Sequence, residues 1–220
     1  MSRFVLVPGA WHGGWWYEPV VDALSADGHQ AVAVTPAGLG PDDDLTKDVV
    51  NLDTHVAQVA AEVLAGDGPA TLVGHSYGGM VITAVADRMP ERIRALVYLD
   101  ADVPRDGESS WDVAPDYIRA SLIDGAGETG VSLAPLPFFD DRARPHPLAT
   151  LLQRVRLTGA WERVPIKRFA AALDTPGGLQ APTAMERVRN DPDWHYEEWP
   201  TTHNVLRDGP GRVLSLLTDL

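Results

Sequence analysis

The chain has 220 residues, 45% hydrophobic and 22% charged, which suits one packed domain and leaves little room for two. A formal net charge of −13 disfavours nucleic acid and anionic membranes as partners. Cysteine is absent, which excludes disulfides, thiolate metal sites and a cysteine nucleophile.

Arg3 to Val7 reads as a buried strand. It begins almost at once, with no basic region, apolar core or cleavage site of a signal peptide ahead of it. No apolar run approaches the length of a membrane span, so a cytoplasmic protein without a membrane partner is expected. A glycine-rich loop follows from Pro8 to Gly14, then a helix from about Trp15 to Ser25 and a strand from Gln30 to Val34. After a polar loop containing Asp42-Asp43-Asp44, Val56, Val59, Ala60 and Val63 recur at helical spacing, predicting a helix from about Asp53 to Ala65. Ala70 to Val73 is the third strand, a helix then runs to about Met89 and stops near Pro90, and Ile93 to Leu99 is the fourth strand.

The alternation then breaks. Residues 101–163 are rich in Pro, Gly and Asp, with short helical pieces around Tyr117–Ile123 and Leu148–Val155. The length exceeds an ordinary connection, and its aromatic residues would be costly to leave in water, so a lid is expected over about 104–163. Alternation resumes with a strand at Ile166–Leu173, a helix near Ala181–Arg189, a strand at Trp194–Trp199 and a last helix from about Gly211. This order predicts a mostly parallel α/β sheet of about six strands, helices on both faces, and one domain over 1–220.

The chemistry concentrates after the third strand. Gly74-His75-Ser76-Tyr77-Gly78 is a G-x-S-x-G pattern between a strand and a helix, the context of a nucleophile elbow. A serine hydroxyl is a weak nucleophile that needs exposure, a base and nearby N–H donors, and a sharp turn at the sheet edge gives it exposure. Ligands of an open parallel sheet bind beyond the carboxyl ends of its strands. Asp174 follows one such strand and His203 another, in the order serine, acid, histidine. His203 would carry the proton of Ser76, with Asp174 orienting the imidazole. Asp100 and Asp102, at the end of the fourth strand, are the alternatives for the acid. Asp174 also fits a turn ahead of Pro176-Gly177-Gly178. Of the other histidines, His29, His55 and His146 fall on surface-like segments, and His75 lies inside the elbow.

The oxyanion hole needs two backbone N–H groups, expected from Tyr77 and from Ala10 or Trp11 in the loop after the first strand. That loop lacks G-x-G-x-x-G spacing and a Walker lysine, so phosphate binding is disfavoured. The histidines lack ligand spacing, and Asp42-Asp43-Asp44 lacks the glycine and distal glutamate of an EF-hand, so no metal is expected.

These residues resemble the α/β-hydrolase superfamily, and within it the branch of plant methylesterases, hydroxynitrile lyases and bacterial pyrethroid-type esterases. Phe4-Val5-Leu6-Val7-Pro8-Gly9-Ala10-Trp11-His12-Gly13-Gly14-Trp15 is similar to that branch's opening, although Pro8 stands where many relatives carry histidine. Pro36-Ala37-Gly38-Leu39-Gly40, Asn51-Leu52-Asp53-Thr54-His55-Val56 and Tyr98-Leu99-Asp100-Ala101-Asp102-Val103-Pro104 extend the likeness. The resemblance implies an α/β-hydrolase fold with a Ser76–Asp174–His203 triad and no cofactor. Hydroxynitrile lyases of that branch use a lysine beside the catalytic histidine, whereas His203 here is flanked by Thr202 and Asn204, which argues against lyase chemistry.

A serine hydrolase acting on a small-molecule carboxylic ester is therefore expected. Trp15, Trp16, Phe138 and Phe139 suggest an apolar or aromatic substrate. A lyase or cyclase on the same fold, or a hydrolase-like binding protein, are the alternatives. The short lid leaves room for a pocket completed by a second subunit, as in a homodimer.

Overall fold

The computed structural model describes residues 1–45, 47, 49–127, 129–176 and 181–220. In chain order the elements are β1 (Arg3–Val7), α1 (Glu18–Ala26), β2 (Gln30–Ala33), α2 (Leu52–Leu64), β3 (Ala70–His75), α3 (Gly78–Arg88), β4 (Ile93–Leu99), α4 (Ser110–Val113), α5 (Asp116–Gly125), β5 (Ser132–Leu133), β6 (His146–Pro147), α6 (Leu148–Leu152), β7 (Ile166–Ala172), α7 (Pro182–Val188), β8 (His195–Trp199), α8 (Val205–Asp208) and α9 (Pro210–Thr218).

Six strands form one sheet in the order β2-β1-β3-β4-β7-β8, with every pair parallel. Parallel strands need crossovers, and the crossovers place helices on both faces. The strands therefore read as continuous apolar runs, because successive side chains enter two different cores. Val5 and Val7 of β1, Leu72 of β3, Tyr98 of β4 and Phe169 of β7 pack on the α2–α3 side. Phe4, Leu6, Val73, Val97, Leu99 and Ala170 pack on the α1–α9 side with Tyr17, Leu24, Val213 and Leu217.

Element starts follow their local chemistry. Asn51 caps α2, its side chain accepting the Thr54 N–H while the Thr54 hydroxyl serves the Asn51 N–H. Pro19 stands in the first turn of α1 and Pro182 in that of α7. The helix expected from Trp15 is divided: Gly14–Tyr17 is a 3-10 turn, and α1 begins at Glu18. The segment between β4 and β7 carries α4, α5, α6 and a two-stranded antiparallel pair, β5 with β6. The turn expected at Gly177-Gly178 lies outside the described residues.

Tyr17, next to Trp15 and Trp16 in sequence, is fully buried core. His55 and His146, expected on surface-like segments, are 1% and 0% exposed. Each satisfies its ring. His55 donates from Nε2 to the Ala37 carbonyl (2.8 Å) and accepts the Tyr77 hydroxyl at Nδ1 (2.9 Å).

Candidate active site

Ser76 sits at the turn from β3 into α3 with φ of 53°, in the left-handed region that a non-glycine residue rarely adopts. Small neighbours make the turn feasible. A Cβ on Gly74 would lie 2.8 Å from the Gly78 backbone, and one on Gly78 would lie 2.5 Å from the Val7 carbonyl oxygen. A Cβ on Gly79 would lie 2.1 Å from the Asp102 carbonyl oxygen. The backbone around Ser76 is tied to the end of β4. Its N–H donates to the Leu99 carbonyl (3.3 Å), and its carbonyl accepts the Asp102 N–H (3.0 Å).

His203 comes from the loop after β8. Its Nδ1–H donates to Asp100 Oδ2 at 2.6 Å, which leaves the lone pair on Nε2. The Asp100 side chain is fully buried, while that of His203 is 26% exposed. Asp100 also has positive φ (45°), and its Oδ1 accepts the Ala172 N–H (3.3 Å) from the end of β7. His75 braces the base from below. It donates from Nε2 to the His203 carbonyl (2.8 Å), and its ring lies 4.5 Å from the His203 ring and 4.2 Å from Trp16. Burial, and then repulsion from His203, hold His75 well below the usual histidine range, so it is neutral.

The carboxylate that pairs with His203 therefore differs from the expected one. The carboxylate against His203 belongs to Asp100, not Asp174. Asp174 is exposed, its N–H going to the Thr201 carbonyl (2.9 Å). The reason is geometric. The left-handed turn at Asp100 carries its side chain across the end of β7 toward the β8 loop, whereas Leu173 and Asp174 are exposed. Asp102, the other alternative, pairs instead with the Ser110 hydroxyl. Burial pushes the Asp102 carboxyl up to about 6, against the pull of Ser110 and His203.

Of the oxyanion candidates, the Ala10 and Tyr77 N–H groups have no acceptor among the described residues. Trp11 N–H is engaged, donating to His146 Nδ1 at 3.2 Å. The aromatic candidates divide. Trp16 lies on His75, and Phe139 lies 5.6 Å from the Trp11 ring and 5.0 Å from that of His12. Phe138 is 78% exposed, and Trp15 is covered by the Arg142 guanidinium at 4.3 Å. No cluster of three or more metal-ligating side chains occurs among the described residues.

Elbow, imidazole, buried carboxylate and doubly wound sheet define an α/β-hydrolase. The chain belongs to the alpha/beta hydrolase family, whose model matches residues 4–217. It is 32% identical, end to end in both chains, to a carbendazim hydrolyzing esterase of Nocardioides sp. (strain SG-4G). It is 34% identical to salicylic acid-binding protein 2 of Nicotiana tabacum, over 53% of this chain and 45% of that one. Among solved structures, an extracellular alpha/beta-hydrolase from a Paenibacillus species superposes with a TM-score of 0.82 at 23% identity, over 100% of this chain and 98% of that one. A pyrethroid hydrolase from Sphingobium faniae JZ-2 does so with 0.75 at 20% identity, over 99% and 96%. The family is thus shared with esterase-type hydrolases of the methylesterase branch.

Proposed function

We propose that this chain is a serine hydrolase that cleaves a carboxylic ester of an apolar or aromatic small molecule through an acyl-enzyme. Ser76 Oγ attacks the ester carbonyl as its proton passes to His203 Nε2, and Asp100 holds the imidazole and stabilises its charged form. The Ala10 and Tyr77 N–H groups receive the oxyanion. His203 then gives the proton to the departing alkoxide. Water, deprotonated by the same nitrogen, releases the acid and restores Ser76.

The observation that carries this reading is the hydrogen bond from His203 to the buried Asp100 carboxylate, with the His203 ring 4.5 Å from that of His75 in the elbow beside Ser76. The carbendazim hydrolyzing esterase, 32% identical over the full length of both chains, supports a substrate with an apolar or aromatic body. The segment 104–163 would act as the lid over it.

The test is hydrolysis of p-nitrophenyl esters, acetate through octanoate, by the wild type and Ser76→Ala side by side. Turnover by the wild type alone supports the mechanism, and its chain-length profile sizes the pocket. Full turnover by Ser76→Ala would refute it.

A further inference from the structure

Trp11 is a bulky residue held at φ of 67°, a conformation that needs support from its surroundings. Among the described residues, its hydrogen-bond partners all lie in the crossover segment between β4 and β7. Trp11 N–H donates to His146 Nδ1 (3.2 Å), the Trp11 carbonyl accepts the Arg144 N–H (3.0 Å), and the indole N–H donates to the Leu133 carbonyl (3.0 Å). Trp11 directly follows Ala10, whose N–H is one of the two proposed oxyanion donors.

His146 touches the residue of the other donor as well. Its ring lies 5.1 Å from that of Tyr77, edge to face. The polar ends are fixed in turn. His146 donates from Nε2 to Thr150 Oγ1 (2.8 Å), and Thr150 donates to the Pro147 carbonyl (2.7 Å). Thr150 therefore sets the tautomer, leaving Nδ1 free to accept from Trp11. His146 itself is 0% exposed.

We propose that His146 is a positioning residue for the oxyanion hole: from the crossover segment it locks Trp11 in the left-handed turn that aims the Ala10 N–H, and it packs the Tyr77 ring that anchors the second donor. The assignment rests on the serine-hydrolase reading. It makes the hole dependent on the segment that covers it, so substrate closure and oxyanion stabilisation are coupled through one side chain.

The test compares His146→Asn, which keeps an acceptor near the Nδ1 position, with His146→Leu, which has none, and with Thr150→Val, which removes the group that sets the tautomer. For each, kcat and KM toward a p-nitrophenyl ester are measured per titrated active site, with the inhibition constant of a trifluoromethyl ketone that forms an oxyanion on Ser76. His146→Leu should lose about 10- to 100-fold in kcat with KM within about threefold, Thr150→Val a smaller part of the same loss, and His146→Asn should stay within about fivefold of wild type. Ketone affinity should fall by the same factor as kcat/KM. If His146→Leu does not fold, Thr150→Val decides alone. Wild-type kcat and ketone affinity in the deciding variant overturn the assignment, as does an equal loss in His146→Asn and His146→Leu. Ester turnover that survives Ser76→Ala overturns the hydrolase reading instead, and the role of His146 with it.

Discussion

Asp100 Oδ2 lies 2.6 Å from His203 Nδ1, joining the loop after β4 to the loop after β8 across the end of β7. The Ala172 N–H holds the other carboxylate oxygen, so the Asp100 side chain is fixed by the strand it crosses. Asp100→Asn should keep the shape and lose the charge that stabilises the imidazolium. It also presents an amide that can favour the wrong imidazole tautomer. A fall in kcat of about 10³–10⁴ is expected, with the thermal midpoint nearly unchanged. Asp174→Asn, at an exposed carboxylate, should stay within about twofold of wild type. The opposite ranking in steady-state esterase assays would return the acid to Asp174.

Asp102 makes a separate prediction about stability. Its carboxyl rises from 3.8 to about 6, chiefly through burial. The folded state thus binds this proton more tightly than the unfolded chain. The resulting penalty is absent below 3.8, grows between 3.8 and about 6, and is complete above 6. A shift of that size corresponds to roughly 3 kcal/mol at the upper end. Asp102→Asn still accepts the Ser110 hydroxyl and never ionises. Urea unfolding should show it about 1–3 kcal/mol more stable than wild type at pH 8 and no more stable at pH 4. An equal difference at both values would mean the effect is not ionisation.

Strand positions were legible because burial on both faces leaves unbroken apolar runs, as in Phe4-Val5-Leu6-Val7 and Ala95-Leu96-Val97-Tyr98-Leu99. The elbow was legible because its glycines answer a steric need that only one backbone shape creates. The acid was not. Asp100 and Asp174 both follow strands, and the choice depends on a left-handed φ at Asp100 that no spacing encodes. The buried histidines were hidden for another reason. His146 lies in a Pro-rich, Arg-rich stretch with no periodicity to give it a face. His55 carried a signal that polarity masked, since it falls one turn before Val59 and three residues after Leu52, on the buried stripe of α2.

Gly79 should be the least replaceable glycine of the elbow. A Cβ there would lie 2.1 Å from the Asp102 carbonyl oxygen and 2.9 Å from its nitrogen, and the same Asp102 N–H holds the Ser76 carbonyl. Neither chain can yield without moving the nucleophile. Gly79→Ala should cost more than about 4 kcal/mol, or prevent recovery of folded protein. Gly68→Ala, where nothing lies within 4 Å, should change stability by less than about 0.5 kcal/mol. Thermal melts of the two variants check the contrast, and a well-folded, active Gly79→Ala would contradict this close packing.

Acid should unfold this protein steeply, because three buried histidines are neutral in the folded state. Burial lowers His55 to about 4 and holds His75 and His146 well below the ordinary 6.5. Below 6.5 the unfolded chain therefore takes up three protons that the folded chain refuses, so stability falls as pH drops. Each contributes about 1.4 kcal/mol per pH unit, or roughly 4 in all. Asp102 works the other way, since the folded state gains its proton first, near 6. The two together predict a loss of about 3 kcal/mol between pH 6 and pH 5, and little change from these groups above pH 7. Urea titrations at half-unit intervals measure the slope. His55→Gln should remove one of the three protons and reduce the histidine contribution by about a third, whereas a flat wild-type profile from pH 7 to pH 5 would show that these rings are charged when folded.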